Sequence, residues 1–131
     1  MIKRFLEWIG LKERLHGQSH EPPFFRENEI WWCHVGENIG VEINGKNDKF
    51  TRPIFILKKY DKYSFLGLPF STKNKIGNWY VSIYFAGVPQ VAILSQSRVF
   101  DYRRLYKKIG ELTKKDGVLI REAFTNLHMT A

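Results

Sequence analysis

Five short segments rich in Ile, Val, Phe, Tyr and Trp recur through the middle of the chain, at 29–35, 52–58, 63–71, 78–85 and 91–100. Each is bounded by Gly, Asn, Asp, Pro or Lys clusters, and β-branched and aromatic residues between turn signals read as strands. No helical pattern alternates with them. That argues against a βαβ-built parallel sheet and leaves a strongly curved antiparallel sheet or small barrel. The 131 residues fit one domain, and 44% hydrophobic with 15% aromatic residues supply ample core material.

Helical periodicity is confined to the two ends. Ile2, Phe5, Leu6 and Ile9 follow an i, i+3, i+4, i+7 pattern, so residues 2–15 read as a short amphipathic helix. Its stripe suits packing on the domain or contact with a lipid surface, and packing is the commoner use. Gly17 to Pro23 then breaks regular structure, because the two prolines remove donors and hold the preceding residue extended. After a helical turn at 102–106 and an ambiguous stretch at 107–112, Thr113 and Asp116 have the spacing of a helix start. Ile120, Ala123, Phe124 and Leu127 give the helix that follows an apolar stripe.

Cys33 is the single cysteine, so no internal disulfide forms, and its apolar surroundings predict a buried, inert thiol. The amino-terminal segment lacks a signal-peptide apolar core, and no stretch reaches the ~18 apolar residues that cross a bilayer. A soluble cytoplasmic protein is expected. His16, His20, His34 and His128 are scattered without metal-ligand spacing, so no metal or cofactor is predicted. Neither GxSxG, nor a P-loop, nor GxGxxG is present.

The formal net charge of +8 is segregated. Residues 27–42 hold four Glu and no Lys or Arg, whereas 43–75 hold seven Lys and Arg52 against Asp48 and Asp61. Phe50, Tyr60, Tyr63, Phe70 and Trp79 are interleaved with these cations. Phosphates can pair with the charges while unstacked bases lie on the rings. A solvated basic face over aromatic core residues fits the composition equally well.

The order of motifs narrows this choice. Glu29-Ile30-Trp31-Trp32 is followed by Gly40-Val41-Glu42, by Thr51-Arg52-Pro53-Ile54-Phe55-Ile56-Leu57 and by Leu68-Pro69-Phe70-Ser71-Thr72. Gln96, Arg98 and Asp101 then give a Q-x-R-x-x-D pattern, and Lys108-Ile109-Gly110-Glu111-Leu112 comes next. Across about residues 27–127 this resembles the MazF/PemK family of type II toxin–antitoxin toxins.

The resemblance implies a mainly β fold, an SH3-like small barrel with a carboxy-terminal helix, preceded here by a short helix and linker at 1–26. It implies a homodimeric, metal-independent endoribonuclease that cuts single-stranded messenger RNA, leaving a 2′,3′-cyclic phosphate and a 5′-hydroxyl. A cognate acidic antitoxin is the implied partner, and no membrane is. By motif, the catalytic candidates are Arg52, Ser71 and Glu42, and the RNA-binding candidates are Lys49, Thr72, Lys73, Gln96 and Arg98. A guanidinium suits the doubly charged phosphorane, and Pro53 restricts Arg52 to extended geometry. Ser71 suits a hydrogen bond to the phosphate, and Glu42 a base or a holder of Arg52. Ser71 stands where the family commonly has threonine, the 42–52 loop is longer than usual, and residues 1–26 have no counterpart in compact members. A rival class keeps the same barrel without chemistry, as in the gyrase-binding CcdB relatives or an RNA-binding module.

Overall fold

A computed structural model describes residues 4–130. A helix, α1 (Phe5–His16), leads by an extended segment into β1 (Glu29–His34). A long loop then reaches β2 (Thr51–Asp61), which turns tightly into β3 (Ser64–Ser71). The hairpin of β4 (Tyr80–Phe85) and β5 (Val88–Ile93) follows. After it come β6 (Arg98–Asp101), β7 (Leu105–Glu111) and the carboxy-terminal helix α2 (Lys114–Met129).

The expected strand at 91–100 is two strands, because a 3-10 turn at Leu94–Gln96 interrupts it. The turn transfers the chain along one edge of β3: β5 pairs with Phe70 and Ser71, and β6 pairs with Ser64 to Gly67. The expected helical turn at 102–106 is a 3-10 turn at Tyr102–Arg104, and from Leu105 the chain is extended. Residues 107–111 of the ambiguous stretch belong to β7, which completes the sheet beside β1, and Leu112 follows it.

The sheet runs β4-β5-β3-β2-β1-β7 with β6 also on β3. It curls until its two ends meet, through a side chain where backbone pairing stops. A Cβ added at Gly110 of β7 would lie 2.6 Å from Phe85 Cζ of β4, so only glycine admits that ring. The result is an open SH3-like barrel.

β2 explains why Ile54-Phe55-Ile56-Leu57 is unbroken by polar residues. Successive side chains leave opposite faces of a strand. Phe55 and Leu57 enter the core under α2 with Leu68, Phe70 and Leu94, and Ile54 and Ile56 enter a second core with Phe25, Phe65 and Phe100. Ile120 of α2 is fully buried on the first core, with Ala123, Phe124 and Leu127 beside it. Thr113 caps this helix by accepting the Asp116 N–H on its hydroxyl.

α1 forms where the periodicity places it but turns a different face inward. Trp8 and Leu15 are buried, whereas Leu6 is 84% and Ile9 57% exposed; Ile2 lies outside the described residues. Both stripes have helical spacing, and the indole has the larger apolar area to bury.

Glu29 ties β1 to its surroundings from a buried position. Its carboxylate accepts from Trp31 Nε1 at 2.9 Å and from the Arg26 N–H at 2.9 Å, and pairs with Lys108 Nζ at 2.9 Å. Burial pushes its pKa up, but the bonds from Lys108, Trp31 and Arg26 outweigh that and hold it below the ordinary carboxylate value. The folded state therefore binds this proton less readily than the unfolded chain. The stabilisation is complete above the ordinary carboxylate pKa and is lost as pH falls through the lowered one. Glu29→Gln is expected to lower Tm at pH 7 by about 6–10 °C, from ~2 kcal/mol per hydrogen-bonded charge and ~3–5 °C per kcal/mol at this size. Calorimetry at stepwise lower pH should find the gap to wild type closing; a constant gap would refute the carboxylate's role.

Candidate active site

Arg52 is the second residue of β2 and Ser71 the last of β3. Ile54 stands opposite Pro69 in the antiparallel register, so two positions further along Arg52 and Ser71 come abreast. Both line a cavity of about 190 Å³ whose apolar walls include Trp32, Pro53, Phe70 and Phe85. Thr72, Lys46, Thr51 and Gln90 add polar groups, and no carboxylate lines it.

The arginine is half-buried and anchored from two sides. Its Nε donates to the Asn44 carbonyl at 2.8 Å and its Nη1 to the Phe70 carbonyl at 3.3 Å. Those acceptors use two of the five N–H donors of a guanidinium. Burial lowers the Arg52 pKa from the ordinary arginine value, and the group stays charged at neutral pH. Ser71 is buried, and its Oγ accepts the Lys73 N–H at 3.1 Å. One lone pair is thereby occupied, and the hydroxyl proton is left to donate. A charged fork and a hydroxyl donor on one small cavity with no facing carboxylate can pair with an anion.

The other motif residues lie elsewhere. Glu42, Gln96 and Arg98 share a second depression with Asn38, Ile43 and Ser97. There Gln96 clamps the 41–43 turn, accepting the Ile43 N–H at 3.1 Å and donating to the Val41 carbonyl at 3.0 Å. Glu42 accepts the Ile39 N–H at 2.9 Å. Burial lowers the Arg98 pKa, and the Glu42 charge opposes that shift. Lys49 lies on a third surface, its ammonium 5.1 Å from the Tyr106 ring centre, and Lys73 is exposed. The motif reading did not single out Lys46, Trp32 or Gln90, which reach the cavity through strand pairing: Trp32 is opposite Pro53, Lys46 bridges to Thr51, and Gln90 adjoins Val91, the partner of Ser71.

The loop that supplies Asn44 is gripped by α1. Gly36, at φ +91°, would place a Cβ 2.1 Å from the Trp8 indole, so its bare backbone is the seat of that ring. Trp8 also packs on Phe50, with ring centres 5.6 Å apart. Phe50 itself holds a left-handed φ of +54°, which costs of order 1 kcal/mol and persists only where the surroundings impose it. Its carbonyl accepts from Val35 and Gly36, and Arg4 Nη2 donates to the Asn47 carbonyl at 2.6 Å. The amino-terminal helix thus braces the loop that positions Arg52.

The chain matches the model of the PemK-like, MazF-like toxins of type II toxin–antitoxin systems over residues 26–128. It belongs to that family. Its fold is similar to MazF from Deinococcus radiodurans, 17% identical with a TM-score of 0.65, over 86% of this chain and all of that one. It is also similar to a mycobacterial endoribonuclease in complex with its cognate antitoxin, 11% identical with a TM-score of 0.63, over 80% of this chain and 95% of the other. A third likeness is the Mycobacterium tuberculosis toxin MazF-mt6, at 15% identity and a TM-score of 0.59, over 79% and 98% of the two chains. Among curated protein sequences none matches significantly. No described helix is long and apolar enough to cross a membrane.

The family match begins at residue 26, after α1. Trp8→Ala is expected to cost about 3 kcal/mol, the lower end for emptying a buried tryptophan site. It should speed amide exchange at Gly36 and Gly45, whose N–H groups are bonded within the loop. Trp8→Phe should restore most of the protection. Unchanged exchange in Trp8→Ala would show that the loop holds itself.

Proposed function

We propose that this toxin is an endoribonuclease that cleaves single-stranded RNA by attack of a 2′-hydroxyl on the adjacent phosphate, with Arg52 stabilising the transition state. The observation that carries the reading is the anchored guanidinium of Arg52, with N–H donors left over, beside the Ser71 hydroxyl in a cavity without carboxylates. Family membership and the endoribonuclease among its structural relatives support it.

In the transition state the 2′-oxygen closes on phosphorus as the bond to the 5′-oxygen opens, and negative charge builds on the non-bridging oxygens. The remaining Arg52 donors meet that charge, and the pre-set anchors at Asn44 and Phe70 avoid reorganisation when it forms. Ser71 donates a further hydrogen bond to the same phosphate. Its hydroxyl is not the nucleophile, since no base lies within bonding reach of Oγ among the described residues. The 2′-hydroxyl gives its proton to water and the leaving 5′-oxygen takes one from water, so the products are a 2′,3′-cyclic phosphate and a 5′-hydroxyl, and no metal enters the step.

Glu42 is assigned to the loop it caps, beside Arg98. Lys49, Lys73, Thr72, Gln96 and Arg98 are assigned to contacts along the flanking RNA. Two copies of the chain extend that surface, and an acidic antitoxin segment is the partner that silences it, consistent with a net charge of +8.

Arg52→Ala is expected to abolish cleavage of single-stranded RNA in EDTA, and Arg52→Lys to lower kcat by about 10²–10³, as for a lost oxyanion donor. Ser71→Ala should lose about tenfold, and Ser71→Thr should keep most activity. Kinase labelling of the fragments tests for 5′-hydroxyl ends. Wild-type cleavage by Arg52→Ala would refute the assignment. RNA that is bound and left uncut would favour a binding module, and gyrase inhibition without RNA cleavage the CcdB-like alternative.

A further inference from the structure

Gln90 carries the one buried side-chain polar atom without a hydrogen-bond partner among the described residues, its Oε1. Gln90 is also one of the residues that line the cavity of Arg52 and Ser71. Gln90 stands opposite Ile83 in the β4–β5 ladder and two residues before Ala92, the partner of Phe70, so its side chain leaves the same face of the sheet as Ile83 and Phe70. An enclosed carboxamide oxygen with no partner is unfavourable in the free protein. Such a group is retained where a ligand supplies the missing donor.

The shape of the cavity limits what that ligand is. About 190 Å³ is below the ~300 Å³ at which sites for drug-sized molecules begin, and it suits one planar ring system. Trp32, Phe70 and Phe85 offer flat apolar walls, and the anion donors stand at the same cavity. A base stacked on aromatic walls beside a phosphate held by an arginine matches that layout.

We propose that Gln90 is a specificity-determining residue: its Oε1 accepts a hydrogen bond from an N–H on the Watson–Crick edge of one RNA base seated in this cavity, next to the phosphate held by Arg52 and Ser71. This rests on the reading of the cavity as an RNA site. Adenine and cytosine present an exocyclic amino N–H on that edge, uracil a ring N–H, and guanine a ring N–H and an amino group, so a fixed oxygen in a pocket of fixed size selects by position. A site that must satisfy its own buried polar atom rejects a ligand lacking the donor more strongly than a merely apolar pocket does.

The test compares wild type with Gln90→Met, which keeps length and removes both polar atoms. Cleavage of a randomised single-stranded RNA pool is sequenced, and binding of 2′-O-methyl oligomers, which cannot react, is followed by anisotropy. At one position next to the cut, the ratio between best and worst base should shrink about tenfold in the variant, in both assays. The favoured base is then replaced by an analogue lacking its N–H: purine for adenine, 2-pyrimidinone for cytosine, hypoxanthine for the guanine amino group, or 3-methyluracil for uracil. Wild type should lose about five- to tenfold and Gln90→Met nothing. Because Oε1 has no partner in the free protein, the Tm of Gln90→Met should equal or exceed that of wild type. A fall of several degrees would reveal a partner and overturn the inference, as would unchanged base preference. Base-selective binding that depends on Gln90 without any cleavage would uphold the inference and remove the proposed chemistry. RNA neither bound nor cut would remove both.

Discussion

β2 is covered on both faces and paired on both edges, and most of the remaining structure follows from having to satisfy it. Its four central apolar residues feed two separate cores. A flat sheet with one wet face cannot bury both sets, so the sheet curls and the helices cover what curling leaves open. α2 closes the first core, and Arg121 fastens it by donating to the Leu57 carbonyl at 2.8 Å. The strand therefore begins at a fixed point, and Arg52, two residues from the fully buried Ile54, inherits that rigidity. A charge at the end of a well-packed strand is placed more reproducibly than one on a loop.

Electrostatic segregation in the sequence becomes a division of labour in the fold. All four glutamates between residues 27 and 42 are engaged within the protein. Glu27 accepts the Lys59 N–H, Glu29 bonds Trp31 and Lys108, Glu37 accepts the Arg4 N–H and Glu42 the Ile39 N–H. These acids hold loops and strand ends, and none of them lines the cavity around Arg52. The positive charge of Arg52 and Lys46 there is not neutralised by these acids.

Much of the architecture was legible because it depends on local pattern. The strand segments, the Thr113 cap and the Ile120 to Leu127 stripe each follow from residues within a few positions of one another. The inward face of α1 was not, since Phe5, Leu6 and Ile9 compete with Trp8 and Leu15 at equal helical spacing, and the notch at Gly36 lies elsewhere in the chain. The break at Leu94–Gln96 was hidden for a similar reason. Val91 to Phe100 is uniformly strand-like, and it divides only because β3 requires two successive partners along one edge. In the site, motif order singled out Arg52, Ser71 and Thr72, which the fold brings to one cavity. Glu42, Gln96 and Arg98 were grouped with them by motif, yet they gather in a neighbouring depression.

By itself the sequence determined five strand-bearing segments and the two terminal helices, that the chain is basic, and that an arginine stands fixed before a proline at the start of an apolar run. These are consequences of side-chain chemistry and of contacts close along the chain. Only the tertiary structure decided that the Arg52 guanidinium is held by the carbonyls of Asn44 and Phe70, that α1 braces the loop carrying the first of them, and that Gln90, whose Oε1 has no partner, lines the same cavity. Each of those joins residues separated by at least eight positions, and which distant groups meet is set by the curl and register of the sheet.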